Sequence, residues 1–444
     1  WRGWAPCCGW KTQNAMKYFF IFIAIALMSL PSSVHAARLW SSGFELSSVT
    51  AGVEITSTGG ATAPTISSSN VRSGAYALRV NPSLSDTVMN YDFEGTDIDI
   101  AYTRFYLYIA SAPSSDTSIV EFTANGSDTT VCGIRLNANN TLRLYADDSS
   151  TPIGSASSAL STGTWYRIEL TCDATNNSDF AATGRIDGTQ FASGSLGSGS
   201  ATNIGRLELG VDAGNWGDTA SADLYFDDAA VNDTNGSDQT SWPGTGSIVH
   251  MQPDSAGDTN NCTTGDYTSI DEITPDDAAT VCVLDTNGDI LEVNVESALS
   301  AGIDYYDTVS VVMIGTREAQ ASASSDTLAP LIRSASGGTR LSGTSYTHND
   351  VTYRTNGDTL PRNHKLSTTT DPTTGVAWTP TGTNSLDNLQ FGFNCSTCTV
   401  ATNLSTLWAL VEYVDGVPPA VKNRLNLRGT LKIRGGGRVQ IRAN

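Results

Sequence analysis

Beyond residue 36, no long stretch of this chain repeats its apolar side chains with the 3.6-residue period of an amphipathic helix. Apolar and polar residues instead alternate in short runs with a period of two. Thr164-Trp165-Tyr166-Arg167-Ile168-Glu169-Leu170 is one such run, and Ala222-Asp223-Leu224-Tyr225-Phe226-Asp227-Asp228-Ala229-Ala230-Val231 is another. Between them, Gly184-Arg185-Ile186-Asp187-Gly188 ends in an Asp-Gly tight-turn signal. Val, Ile, Thr, Tyr and Phe recur in runs every 10–15 residues, separated by Gly, Asn, Asp and Ser clusters. That pattern predicts an all-β protein. Its 444 residues predict two domains or three, each large enough to bury a core.

Met16-Lys17, the apolar run Tyr18–Met28, the break at Pro31 and the small-x-small triplet Val34-His35-Ala36 read as a secretory signal peptide. The run is shorter than the roughly 20 residues a spanning helix needs. A secreted, extracellular protein beginning near Ala37 is expected, with no membrane span. Cys7 and Cys8 precede this segment, leaving Cys132, Cys172, Cys262, Cys282, Cys395 and Cys398. An even count in an exported chain predicts disulfides. The pairing Cys132–Cys172, Cys262–Cys282, Cys395–Cys398 keeps each bond inside one expected domain. Cys395-Ser396-Thr397-Cys398 follows a strand-like run, which favours a loop-closing disulfide over a redox motif. The histidines show no zinc-ligand spacing.

The formal charge is −20, yet the last segment carries seven bases from Lys422 to Arg442 and no acid. An acidic body disfavours nucleic acid. Leu425–Arg428, Leu431–Arg434 and Val439–Arg442 alternate between glycine breaks. They predict a short C-terminal meander over 418–444 with one cationic face, suited to homo-oligomer formation through residues 420–444.

A strand opening Gly163-Thr164-Trp165-Tyr166, an Asp-Gly hairpin, and a strand carrying Phe226-Asp227-Asp228 together resemble the concanavalin A-like, laminin-G-like jelly-roll family over residues 37–233. Ser73-Gly74-Ala75-Tyr76-Ala77-Leu78-Arg79-Val80 is similar to an early strand of that family. The resemblance implies a sandwich of two antiparallel sheets. It also implies a calcium ion at the sandwich rim, for which Asp227 and Asp228 are the candidate ligands; the alternative is hydrogen bonding to a neighbouring loop. Residues 234–246 read as a linker, and 247–417 as a second β-sandwich. In that region Asp371-Pro372-Thr373-Thr374-Gly375-Val376-Ala377-Trp378 resembles a segment of tail-fibre and virion-surface proteins of tailed bacteriophages.

Catalytic motifs are sparse. Glu-x-Asp-x-x-Glu, as in laminarinase-type jelly rolls, is not found, and Glu208-Leu209-Gly210-Val211-Asp212 is its nearest approach. Arg167-Ile168-Glu169 lacks the second Arg of an alginate-lyase-like strand. Asp285-Thr286-Asn287-Gly288-Asp289 lacks the closing Glu of a calcium loop and reads as a hairpin turn. Trp216 lies in a Gly-rich loop, where it could stack on a sugar ring while Asn215 and Asp218 bond hydroxyls, or fold onto the sandwich edge. Trp165 is expected in the core. Tyr102, Tyr106 and Tyr108 share a strand face, as an aromatic platform or as packing. The expectation is a secreted, non-catalytic protein binding a glycan or cell-surface polysaccharide. The alternatives are a phage-like tail or adsorption protein and a jelly-roll glycan-active enzyme.

Overall fold

A computed structural model describes residues 37–417 except 51, 94–97, 125–128, 147–150, 177, 196–202, 214–217, 278–279 and 356–365. The expected signal peptide and C-terminal meander therefore lie outside the described residues. Within them the protein is all-β. Its helical elements there are two single 3-10 turns, Tyr267–Ser269 and Leu386–Asn388. No described helix is long and apolar enough to cross a membrane.

The first fourteen strands are β1 (Arg38–Ser42), β2 (Ser57–Gly60), β3 (Thr65–Ser67), β4 (Ala77–Val80), β5 (Thr87–Asp92), β6 (Ile100–Ser111), β7 (Thr117–Ala124), β8 (Thr130–Leu136), β9 (Leu142–Ala146), β10 (Trp165–Asp173), β11 (Ala181–Ile186), β12 (Thr189–Ser195), β13 (Ile204–Asp212) and β14 (Asp223–Asn232). They form two antiparallel sheets. One runs β12-β11-β10-β6-β14-β4-β3, with β1 also on β14; the other runs β2-β5-β13-β7-β8-β9. The period of two explains the packing. Phe105, Leu107, Ile168, Leu170 and Phe226 from the first sheet meet Met89, Phe122, Ile134, Leu144 and Leu209 from the second in one core. Cys132 on β8 is bonded to Cys172 on β10, stapling the two sheets. Asp187 and Gly188 both adopt positive φ, 52° and 82°, the backbone of the expected two-residue hairpin between β11 and β12.

Trp165 departs from expectation. It shares strand parity with Arg167 and Glu169 rather than with Ile168 and Leu170, so it faces outward. There it is half-buried against Tyr108, 5.3 Å between ring centroids. Tyr108 also meets Tyr225 edge-on at 6.0 Å, and Tyr106 lies 3.5 Å beneath the Arg72 guanidinium.

The second half adds β15 (Ser247–Met251), β16 (Pro253–Asn260), β17 (Cys282–Leu284), β18 (Asp289–Val295), β19 (Thr308–Gln320), β20 (Asp326–Arg333), β21 (Leu341–Ser342), β22 (Tyr346–His348), β23 (Arg354–Thr355), β24 (Leu366–Thr368), β25 (Gln390–Thr397) and β26 (Thr402–Val414). One sheet runs β15-β26-β19-β23, with β17 on β26 and β24 on β19. The other runs β16-β18-β25-β20-β21, with β22 on β20. Their inner faces share a second core built on Leu291, Val293, Phe391, Phe393, Leu407 and Val411. Cys262–Cys282 and Cys395–Cys398 are bonded as expected. The Asp285–Asp289 segment is a turn, closed by Thr286 N–H donating to the Asp289 carboxylate at 2.8 Å. It joins strands of different sheets, however, so it is not a hairpin.

The two sandwiches meet through a third apolar cluster, Leu46, Val53 and Ala230 against Ile248, Val311, Met313, Trp408 and Leu410. This second covered face explains why β19 and β26 read as near-continuous apolar runs rather than as clean alternation. Beside the cluster, Glu412 lies between two guanidiniums. Arg38 donates to its Oε2, and Arg104 donates to its Oε1 at 2.8 Å. Burial pushes the Glu412 carboxyl up, but Arg38 and Arg104 outweigh it and hold the group below the usual carboxylate range.

Candidate active site

Along β13, Leu207, Leu209 and Val211 point into the core, which turns Arg206 and Glu208 to the outer face of the six-stranded sheet. On β7, Phe122 points in and Glu121 out. The register then assembles a transverse row. Glu208 faces Asn90 on β5 and Glu121 on β7. Glu121 faces Gly133 on β8, and Gly133 faces Tyr145 on β9. Gly133 has no side chain to separate Glu121 from Tyr145 across the row. Ser57 on β2 extends the row beyond Asn90.

Paired irregularities sharpen this arrangement. The β7–β13 register shifts between Leu209 and Asp212, and the β7–β8 register shifts between Ser118 and Val120. The shift sets Asp212 opposite Ser118, and strand alternation past Leu209 and Val211 keeps it on the face occupied by Glu208. Gly210 makes the bend possible. Its φ is +156°, and a Cβ there would stand 2.2 Å from the Thr87 carbonyl oxygen. Oxygens of Glu121, Glu208 and Asp212 consequently lie within 4.8 Å of one another. Val88, Ser118 and Gly210 bound the surface beside them.

Glu121 is 3% exposed. Thr130 Oγ1 donates to its Oε2 at 3.0 Å, while Oε1 is left without a hydrogen bond. Burial raises its carboxyl to about 8, against the nearby Ser118 and Thr130 hydroxyls and with the charges of Asp212 and Glu208 adding to the rise. At neutral pH Glu121 is therefore a protonated acid. Glu208 is approached from the other side by Arg206, whose Nη1 is 3.4 Å from Glu208 Oε1 and whose Nε donates to Asp92 at 2.5 Å. A neutral acid beside a carboxylate with a cationic neighbour can donate a proton on one side and supply negative charge on the other.

Sequence reasoning met Glu208 and Asp212 only as the nearest approach to a motif it did not find, with the second acid misplaced, and it missed Glu121, which is far away in the chain and adjacent only through strand pairing. The expected sugar-binding loop leaves this site directly. Asn215 and Trp216 lie outside the described residues. Asp218 is exposed, and its N–H donates to the Asp116 carbonyl at 2.7 Å.

The expected calcium ligands are built into the junction between the sandwiches. Residues 227–230 form a bulge in β14 between the stretch paired with β4 and the stretch paired with β1, and Asp228 has φ 49°. Asp227 accepts from the N–H groups of Arg72 (2.8 Å) and Asp228 (2.8 Å). Asp228 accepts from the Arg72 guanidinium, from Ser73 Oγ at 2.6 Å and from Ile248 N–H at 2.5 Å. Burial, then the neighbouring Asp228 charge, push the Asp227 carboxyl well up. Every oxygen of the pair thus accepts from a protein donor, the hydrogen-bonding alternative weighed from the sequence. A second grouping, Asp326 with Cys395 and Cys398, has its two sulfurs joined to each other.

No protein-family model matches the chain, and no curated protein does. Among solved structures, an endo-β-1,4-glucuronan lyase from the fungus Trichoderma reesei is similar at 16% identity and a TM-score of 0.29, over 39% of this chain and 87% of that one. An alginate lyase is similar at 14% identity and a TM-score of 0.32, over 44% of this chain and 98% of that one. A Trypanosoma rangeli sialidase is similar at 12% identity and a TM-score of 0.28, over 44% of this chain and 30% of that one. Likenesses this loose leave the site to be judged on its own geometry. The three are glycan-active enzymes by name. The expected non-catalytic binding role is withdrawn on the geometry of this chain's own site, a buried carboxyl raised to about 8 beside two further acids.

Proposed function

We propose that the first sandwich is a glycan-active enzyme domain that cleaves a glycosidic bond on the outer face of its six-stranded sheet. Glu121 is the general acid that protonates the leaving oxygen. Glu208, paired with Arg206, is the nucleophile on the opposite side of the sugar. Carboxyl oxygens within 4.8 Å of each other favour the closely spaced pair of hydrolysis with retention, which passes through a covalent glycosyl intermediate, over the wider pair of inversion. Asn90 and Tyr145 flank the pair in the same row and bind hydroxyls of the sugar. The observation that carries this reading is Glu121, a carboxyl raised to about 8 within 4.8 Å of two further acids. Three disulfides support action outside the cell.

The test is incubation of the full chain with a panel of polysaccharides, measuring both new reducing ends and the ultraviolet absorbance of unsaturated uronate. Reducing ends without unsaturated product are expected, with activity lowered by about 10²–10⁴-fold in Glu121→Gln. Unsaturated product would replace hydrolysis with elimination. Absence of cleavage on every substrate, or full activity in both Glu121→Gln and Glu208→Gln, would remove the catalytic assignment.

A further inference from the structure

A cleft of about 730 Å³, lined by none of these carboxylates, lies between the two sandwiches, walled by Glu45 and Arg72–Tyr76 from the first and by Ser247, His250, Glu296, Ser300–Gly302, Tyr413 and Asp415 from the second. Clefts of this size at domain boundaries are where small ligands bind. The walls are held in place from behind. Arg72 is fixed by Asp228, by the Gly246 carbonyl at 3.0 Å and by Ser247 Oγ at 3.0 Å. His250 is stacked on Trp408 at 5.8 Å.

The lining chemistry selects the ligand. Glu45, Glu296 and Asp415 are acceptors, and the guanidinium present, Arg72, is engaged by Asp228. A uronate, sialate or sulfated sugar would face carboxyl groups with no cation left to pair it. Glu45 accepts from Ala75 N–H at 3.0 Å and Tyr76 N–H at 3.4 Å, yet burial raises its carboxyl to about 8. It is thus protonated at pH 7 and can both donate to and accept from a hydroxyl. Tyr76, Tyr413, Ile273 and Val249 line the cleft together with these acceptors. That combination fits a pyranose, which presents hydroxyls at its edge and C–H groups on its faces. Leu299 (68% exposed) and Tyr305 (61% exposed) flank the Ser300–Gly302 wall in sequence.

We infer that the cleft between the sandwiches is a second carbohydrate site, taking two or three units of a neutral oligosaccharide and separate from the carboxylate row. The test is calorimetric titration of the full chain carrying Glu121→Gln and Glu208→Gln, so that cleavage is silenced. The probes are cellotetraose, laminaritetraose, maltotetraose and tetragalacturonate. Saturable binding of at least one neutral tetraose is expected, with tetragalacturonate bound at least tenfold more weakly. Ser300→Trp, which fills the cleft from an exposed position, and Glu296→Gln should each weaken the neutral ligand tenfold or more, with unchanged melting curves. Two separate variants keep the test open if one misfolds. No binding of any neutral tetraose, binding indifferent to both variants, or preference for tetragalacturonate would overturn the inference. The carboxylate-row activity of the unsubstituted protein is untouched by any of these outcomes.

Discussion

At the scale of single residues, Glu121 makes the sharpest demands. Its carboxyl is raised to about 8 in the folded protein, from an ordinary value of 4.5. Between those limits the folded state keeps a proton that the unfolded state releases, so its contribution to stability is fully present below about 4.5 and is lost as pH rises through about 8. Glu121→Gln keeps the shape, retains an oxygen for Thr130 and cannot ionise. Thermal melts at pH 5 and pH 9 should show a smaller drop in melting temperature for this variant than for the parent. In the parent, activity should fall as pH rises past about 8, when the acid has lost its proton. A melting drop of equal size in both proteins would show that Glu121 does not titrate in this range. Part of this site was legible in the sequence. Glu208 and Asp212 stood out as the nearest approach to a hydrolase strand, while Glu121 carried no local signal, because adjacency through a ladder is invisible to spacing along the chain. Asp227 and Asp228 were legible as a special pair, but the bulge that turns their oxygens toward Arg72, Ser73 and Ile248 was not.

Elements were easier to read, since period-two alternation states directly which residues share a sheet face. The runs at Trp165–Leu170 and Ala222–Val231 became β10 and β14, and the Asp-Gly turn became the β11–β12 hairpin. The errors came where parity had to be chosen without knowing the register. Trp165 was assigned inward on its place in a strand, yet its neighbours Ile168 and Leu170 fix the opposite face. Two predictions belong here. Replacing Cys132 and Cys172 together by Ala removes the bond between β8 and β10, whose cysteines are 40 residues apart in sequence. The loss of chain constraint should cost about 2–4 kcal/mol in chemical denaturation under oxidising conditions. A cost below about 1 kcal/mol would show that packing alone holds the sheets. Gly210→Ala would place a Cβ against the Thr87 carbonyl and push β13 off β5. Glu208 and Asn90 would then lose their alignment. Activity should fall more than tenfold, with a loss in stability of about 1–3 kcal/mol; an active, fully stable variant would show that the bulge does not set the carboxylates.

For the whole molecule, the central question is whether the two sandwiches behave as one cooperative body, and Glu412 answers it physically. This carboxylate on β26 is 1% exposed and lies between Arg38 of β1 and Arg104 of β6, so one acid from the second sandwich is shared by two buried cations of the first. Gly246 is small of necessity, because a Cβ there would stand 2.4 Å from Arg104 Nη1 and 2.5 Å from Glu412 Oε1. Two buried guanidiniums cannot be left facing each other without that carboxylate, and removing one partner of such a group costs about 3–5 kcal/mol. The apolar patch of Ile248, Met313 and Trp408 adds contact but no comparable penalty for separation. Calorimetry of the parent should therefore show one unfolding transition. In Glu412→Ala that transition should fall to lower temperature and divide in two, as the sandwiches lose the interaction that makes separation costly. A variant that still melts in a single transition at the parent's temperature would assign the coupling to the apolar patch. The cleft between the sandwiches would then owe its shape to packing rather than to charge.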